Sequence, residues 1–241
     1  MAIEKDILMA TSFEPASTPR LRCELHNAIT HFAHSTFECD MTDPHSIELV
    51  HFGSKRWANY FKVVLLGLQS VLPPEVRQNA HGTIKVLVDG TVPPESSLSS
   101  SAAMTTCSSI VILTALKALH VVPRKVIADV ACHSERLVGV HSGGMDQAVS
   151  VFGQRDKALF VSFAPTLHVS PIELPLGHQY VFLVTNTMIK SDKKATAPER
   201  YNLRVVETRL AAAVLKRVLQ TKSDIPIQFR DTLRSVSDTF W

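Results

Sequence analysis

Glycine is scarce in this chain, nine in 241 residues, and none falls between Gly90 and Gly139. Any phosphate loop in that span lacks the usual source of positive φ and close backbone approach. Cysteine is equally sparse. Cys23, Cys39, Cys107 and Cys132 form no CxxC pair and no zinc spacing, which excludes a structural zinc site of the familiar kind. No apolar run approaches the ~18 residues of a membrane span. Excess charge of one sign is also lacking: 25 Lys and Arg stand against 22 Asp and Glu, a net +3. The dense basic patches, Lys190 to Lys194 and Lys216 with Arg217, read as solvated faces, so no nucleic-acid partner is expected. The opening MAIEKDILMA carries acid and base too early for a secretory signal. The chain therefore reads as cytoplasmic, with reduced thiols and no membrane partner.

What is present suits a soluble globular domain: 45% hydrophobic and 20% charged residues, over a length that can bury a core. Residues 1–10 alternate loosely and end in ILMA, which predicts a strand. Further strands are expected near Leu21 to His26, near Ser46 to His51, over Ile84 to Val88, over Lys157 to Phe163 and over Tyr180 to Thr185. Apolar residues at helical spacing predict a helix over Trp57 to Leu72, ended by Pro73-Pro74. Ser99 to Ala118, Arg124 to Val138, Gln147 to Phe152 and Arg200 to Leu219 read as further helices. The interleaving of strands and helices predicts an α+β or α/β domain. Residues 1–221 are expected to form it, and 222–241 an irregular tail.

The stretch VPPESSLSSSAAM, Val92 to Met104, is a serine-rich turn running into a small-residue helix. A helix N-terminus presents unpaired N–H groups and a partial positive charge, so a loop entering it can hold phosphate. Ser99, Ser100 and Ser101 sit where the helix begins, and their hydroxyls suit phosphate oxygens or a magnesium ion. Ala102 and Ala103 allow close packing. The same serines also read as an ordinary helix cap.

Four segments in order carry a family resemblance. GTVPPESSLSSSAA resembles the phosphate loop of the GHMP small-molecule kinases, roughly P-x-x-x-G-L-x-S-S-A. HSGGMDQAVSVFG resembles the segment that supplies their catalytic aspartate. TAPERYNLRVVE resembles the galactokinase segment whose tyrosine touches the sugar, and WANYFK the one whose tryptophan borders the adenine pocket. The fold this implies is the GHMP kinase N-terminal domain, an α+β fold like ribosomal protein S5 domain 2.

The resemblance implies a galactokinase-like transfer from ATP, with Mg²⁺, to the anomeric hydroxyl of galactose. Phosphoryl transfer is mostly positioning and charge neutralisation. By carry-over, Asp146 orients the sugar hydroxyl or takes its proton, and Gly143 and Gly144 let the backbone approach the sugar. Tyr201 hydrogen-bonds it. Ser96, Ser97, Ser99, Ser100 and Ser101 hold phosphates, with Ser100 also at the metal. Trp57 walls the adenine, and Ser191 and Lys193 lie near the nucleotide. Trp57 and Tyr201 also read as packing residues. His133 and Glu135 make no ligand set with a third residue and read as structural.

The chain departs from the pattern in two ways. Glu95 and Ser97 stand where galactokinases place glycine, and Glu95 adds negative charge near an anion site. The family's opening PGRVNLIGEHTDY segment, which brings an arginine to the transferred phosphate, and its C-terminal GAGxGG motif do not occur here, so the chain reads as truncated and its domain as incomplete. A catalytically silent sensor with a protein partner, a non-functional remnant and an N-acetylgalactosamine kinase remain alternatives.

Overall fold

The alternation of buried Ile84, Val86 and Val88 with outward Lys85, Leu87 and Asp89 makes a strand with one dry face. The computed structural model describes residues 3–164, 166–173, 197–221 and 232–240, with Leu183, Thr185 and Met188. Four strands form a mixed sheet: β1 (Ile7–Pro15), β2 (Leu21–Asn27), β3 (Ser35–Cys39) and β4 (Gly82–Gly90), in the order β1-β4-β2-β3. β4 runs antiparallel to β1 and parallel to β2, and β2 and β3 are antiparallel. Leu21, Cys23 and Leu25 on β2 share the dry face with Ile84, Val86 and Val88. The opposite face carries ion pairs such as Lys85–Glu14 at 2.7 Å and Arg22–Glu24 at 2.9 Å, each worth ~0–1 kcal/mol in solvent.

Helices share one apolar core with the dry face: α1 (Asn59–Gln69), the short α2 (Pro74–Gln78), α3 (Ser100–Ala115), α4 (Arg124–Leu137) and α5 (Met145–Phe152). α1 buries Phe61, Val64, Leu65 and Leu68, spaced by one helical face. α3 is buried around most of its circumference because it packs on β1, α1, α4 and α5. Its small side chains are what allow so many neighbours. A separate hairpin, β5 (Lys157–Ser162) with β6 (His168–Glu173), touches the body through α5. A π turn over Ala197–Tyr201 leads into α6 (Asn202–Gln220), and α7 (Leu233–Phe240) packs against α6.

The α+β class agrees with the sequence reading, and so do most of the helices. The strand expected near Ser46 to His51 does not form. Pro44–Ser46 is a 3-10 turn capped by the Asp43 carboxylate, which accepts from the His45 N–H at 2.9 Å. The Asn59 side chain then takes both backbone groups of Val50, at 2.9 and 2.7 Å, in place of a neighbouring strand. The strand that pairs with β2 on the side away from β4 is β3, whose STFEC is too short and polar to signal a strand. The stretch read as an irregular tail contains α7. The Thr232 hydroxyl accepts from the Ser235 N–H at its start, and Val236 is buried. The strand expected over Tyr180 to Thr185 lies outside the described residues, apart from Leu183 and Thr185.

Candidate active site

The serine-rich turn adopts a backbone that glycine would favour. Glu95, Ser97 and Ser99 have φ of 57°, 59° and 58°, so every second residue is left-handed. Only small or locally bonded side chains tolerate this without much strain. Ser96 braces the turn by donating to the Pro93 carbonyl at 2.7 Å. Because Ser99 is itself left-handed, its side chain makes no cap hydrogen bond to α3. The first N–H groups of α3 are thus left facing the turn, which is the anion-binding end of a helix.

Two clefts flank this helix start. The first is mostly apolar, lined by Phe32, Trp57, Tyr60, Val92 and Met104 with Ser100 and Ser101 at its α3 end. Trp57 is 6% exposed; its Nε1 donates to the Ala33 carbonyl at 2.9 Å, and its ring lies 6.2 Å from that of Phe32. It is both a core residue and a wall of the cleft. Glu95, exposed, lines the same cleft. The second cleft is lined by Ser97, Ser99, Ala103, Asp146 and the exposed Lys5. The N-terminus of α3 therefore stands between an apolar slot and a carboxylate.

Asp146 lies in the first turn of α5, whose entry demands glycine at one position. Gly144 has φ 91°, and a Cβ there would meet the Cys132 sulfur at 2.9 Å and Phe163 at 3.3 Å. A Cβ at Gly143 would face open space. Tyr201, at the entry to α6, is 37% exposed. Burial raises its phenol pKa, and the carboxylates of Glu135 and Asp146 raise it further. The tyrosine thus sits in the field of both acids.

Glu135 is the residue that sequence reasoning undervalued. Its carboxylate is 2% exposed and accepts from three side chains: Ser101 Oγ, Ser142 Oγ at 2.8 Å and Gln147 Nε2 at 2.6 Å. It joins the start of α3, the glycine turn and α5. Burial, then Glu135, also pushes the Tyr60 phenol well above its ordinary range. A lone Glu on an amphipathic helix gives no sequence signal of this, since its partners come from three distant segments. Lys5 was missed for the same reason. Ser191 and Lys193 lie outside the described residues.

Among the described residues no three His, Cys, Asp or Glu side chains gather into a metal site. A magnesium ion bound with phosphates takes only one or two protein carboxylates and keeps several waters. Ser101 with Glu135 supplies such an oxygen pair beside Ser100. The uncapped helix start, the serine hydroxyls and the apolar slot fit a nucleotide triphosphate.

Residues 59–154 match the family model described as GHMP kinases N terminal domain. The matched stretch runs from α1 through α5. Both clefts and the helix start between them draw on the matched residues. The chain is similar to the galactokinase of Schizosaccharomyces pombe, 32% identical over 225 residues, which are 90% of this chain and 42% of that protein. It is similar to that of Candida albicans, 34% identical over 94% of this chain and 42% of the relative. It is also similar to that of Saccharomyces cerevisiae, 34% identical over 89% of this chain and 41% of the relative. The chain thus spans about two fifths of the length of these curated relatives. The structure of Lactococcus lactis galactokinase complexed with galactose superposes with a TM-score of 0.65 at 23% identity, over 93% of this chain and 51% of that one. This likeness shows a shared fold that reaches beyond the matched residues.

Proposed function

We propose that this chain forms the ATP- and sugar-facing part of a galactokinase-type kinase, which moves a phosphoryl group from ATP to the anomeric hydroxyl of galactose. One observation carries the reading: Asp146 shares a cleft with Ser97 and Ser99 at the uncapped start of α3. A phosphate held there lies between the apolar slot and the carboxylate. The galactokinase relatives support the choice of sugar.

In this reading Trp57 and Met104 flank the adenine. The turn N–H groups and the hydroxyls of Ser96, Ser97, Ser99, Ser100 and Ser101 hold the phosphates. Ser100, Ser101 and Glu135 hold magnesium, which when bound neutralises phosphate charge. Asp146 orients the sugar hydroxyl and accepts its proton, a role that needs a carboxylate at hydrogen-bond range. Tyr201 donates to the sugar, and Gly143 leaves room for it. Lys5 brings a positive charge to the acceptor cleft, where it favours the dianionic product. Ser191 and Lys193 are assigned to the nucleotide from resemblance.

The test is ADP release with galactose, or N-acetylgalactosamine, as acceptor. Asp146→Asn should lower kcat by at least ~10²-fold while calorimetry shows Mg·ATP affinity unchanged. No turnover of either sugar, where a full-length relative is active in the same assay, overturns the reading for this chain. The left-handed Glu95 and Ser97 favour a second reading, a silent sensor that binds ligand and signals through a protein partner. Capture of the same partner only when ATP and galactose are present, without turnover, would select it.

A further inference from the structure

The side chain of Asn202, next to Tyr201, spans a backbone bend that belongs to another part of the chain. Its Oδ1 accepts from the His141 N–H at 3.2 Å, and its Nδ2 donates to the Gly139 carbonyl at 3.1 Å. One carboxamide thus satisfies a donor and an acceptor two residues apart in the bend, across more than sixty residues of sequence. That pairing uses both faces of an amide. A carboxylate would set a lone pair against the Gly139 carbonyl, and an aliphatic side chain would leave both groups unmet.

The bend leads directly to the acceptor site. After His141 come Ser142, the two glycines, Met145 and Asp146. Ser142 anchors the inner side: its hydroxyl donates to Glu135, and Arg136 Nη2 donates to its carbonyl at 3.3 Å. Gly139 has φ 93° and Gly143 faces open space, so the stretch between α4 and α5 has few side chains of its own to hold it. Asn202 supplies the outer anchor, and it does so from the first residue of α6.

We propose that Asn202 is a positioning residue for the acceptor side. By clamping Gly139 and His141 it fixes the start of α6 against the turn that carries Asp146. Tyr201 and Asp146, which arrive on separate segments, then close on one sugar. The role rests on the galactokinase-type reading of Asp146 and Tyr201; the Asn202 carboxamide meets the Gly139–His141 bend.

The experiment compares the full chain with Asn202→Ala and with the isosteric Asn202→Asp. Amide exchange at His141 is followed by NMR, and KM is measured for galactose and for ATP separately. The expected result is faster exchange at His141 and a galactose KM raised about tenfold, with ATP KM and the circular dichroism spectrum unchanged, as displacement of one substrate's contacts predicts. Two results overturn the inference: galactose and ATP KM rising together, which marks a general structural loss, or a galactose KM that stays put while exchange accelerates. If the unmodified chain neither phosphorylates nor binds galactose, the functional reading fails by itself. Exchange at His141 then still decides the clamp: acceleration in Asn202→Ala retains it as the anchor of the Asp146 turn, and unchanged exchange refutes it.

Discussion

The hydroxyl of Ser101, in the first turn of α3, donates to the buried carboxylate of Glu135 on α4. This contact ties the phosphate-loop helix to the helix behind it. It also turns a glutamate with no sequence signal into the hub of the site.

Replacing Glu135 should therefore unsettle the whole site. Glu135→Ala leaves the Ser101, Ser142 and Gln147 donors without their acceptor in a dry interior. Removing one member of a buried charged network costs about 3 kcal/mol or more. For a chain of this size that corresponds to a melting temperature lower by roughly 6–12 °C. Thermal unfolding by circular dichroism measures it, and a wild-type melting curve would refute the hub.

The two adjacent glycines should respond differently. Gly144→Ala puts a Cβ on a left-handed residue and within 2.9 Å of the Cys132 sulfur, a loss of roughly 1–3 kcal/mol. Gly143→Ala meets open space and should stay within about 0.5 kcal/mol of wild type. If the sugar sits against that backbone, galactose KM rises in Gly143→Ala all the same. Urea unfolding and a galactose titration separate the two effects.

The left-handed turn makes an unusual forecast for glycine. Ser97, at φ 59°, carries steric strain that Ser97→Gly removes, against a greater entropy loss on folding. The variant should be as stable as wild type within about 0.5 kcal/mol, or more stable, and should bind Mg·ATP at least as tightly. Ser97→Val, β-branched at positive φ, should lose more than about 1 kcal/mol and weaken Mg·ATP binding. Calorimetry on the three proteins orders them.

Alkaline pH should weaken the fold. Burial pushes the Cys107 thiol up to about 11 from an ordinary value of 9. A folded pKa above the unfolded one means stability is fully present below pH 9 and is lost as pH rises toward 11. Burial moves the Cys23 thiol and Tyr60 the same way. Cys107→Ala should flatten the fall in unfolding free energy between pH 9 and 11 by no more than about 3 kcal/mol. An unchanged slope would show that the thiol titrates normally in the folded chain.

Local patterns were legible where one short segment carries its own instruction. The run Phe61, Val64, Leu65, Leu68 reads as a buried helix face because 3.6-residue periodicity needs no partner to be seen. Ile84, Val86 and Val88 read as a strand for the matching reason. The α3 serines were legible too, since Pro93-Pro94 and the small residues that follow mark a turn into a helix. β3 was not legible: its polar STFEC becomes a strand only because β2 offers it a ladder. The Ser46 to His51 strand failed because Asn59, nine residues beyond Val50, took the backbone groups a strand would have shared.

By itself, the sequence determined most of the helices, the strands β2 and β4 and the residue types at the helix start, since these depend on backbone sterics and on neighbours within a turn or two. Only the tertiary structure decided which polar groups meet. Glu135 finds Ser101 thirty-four residues away, Asn202 finds the Gly139–His141 bend across more than sixty, and Lys5 comes to line the same cleft as Asp146. A hydrogen bond or a charge contact acts over a few ångströms, so its partners are set by how the helices pack on the sheet and leave no periodic trace in the chain.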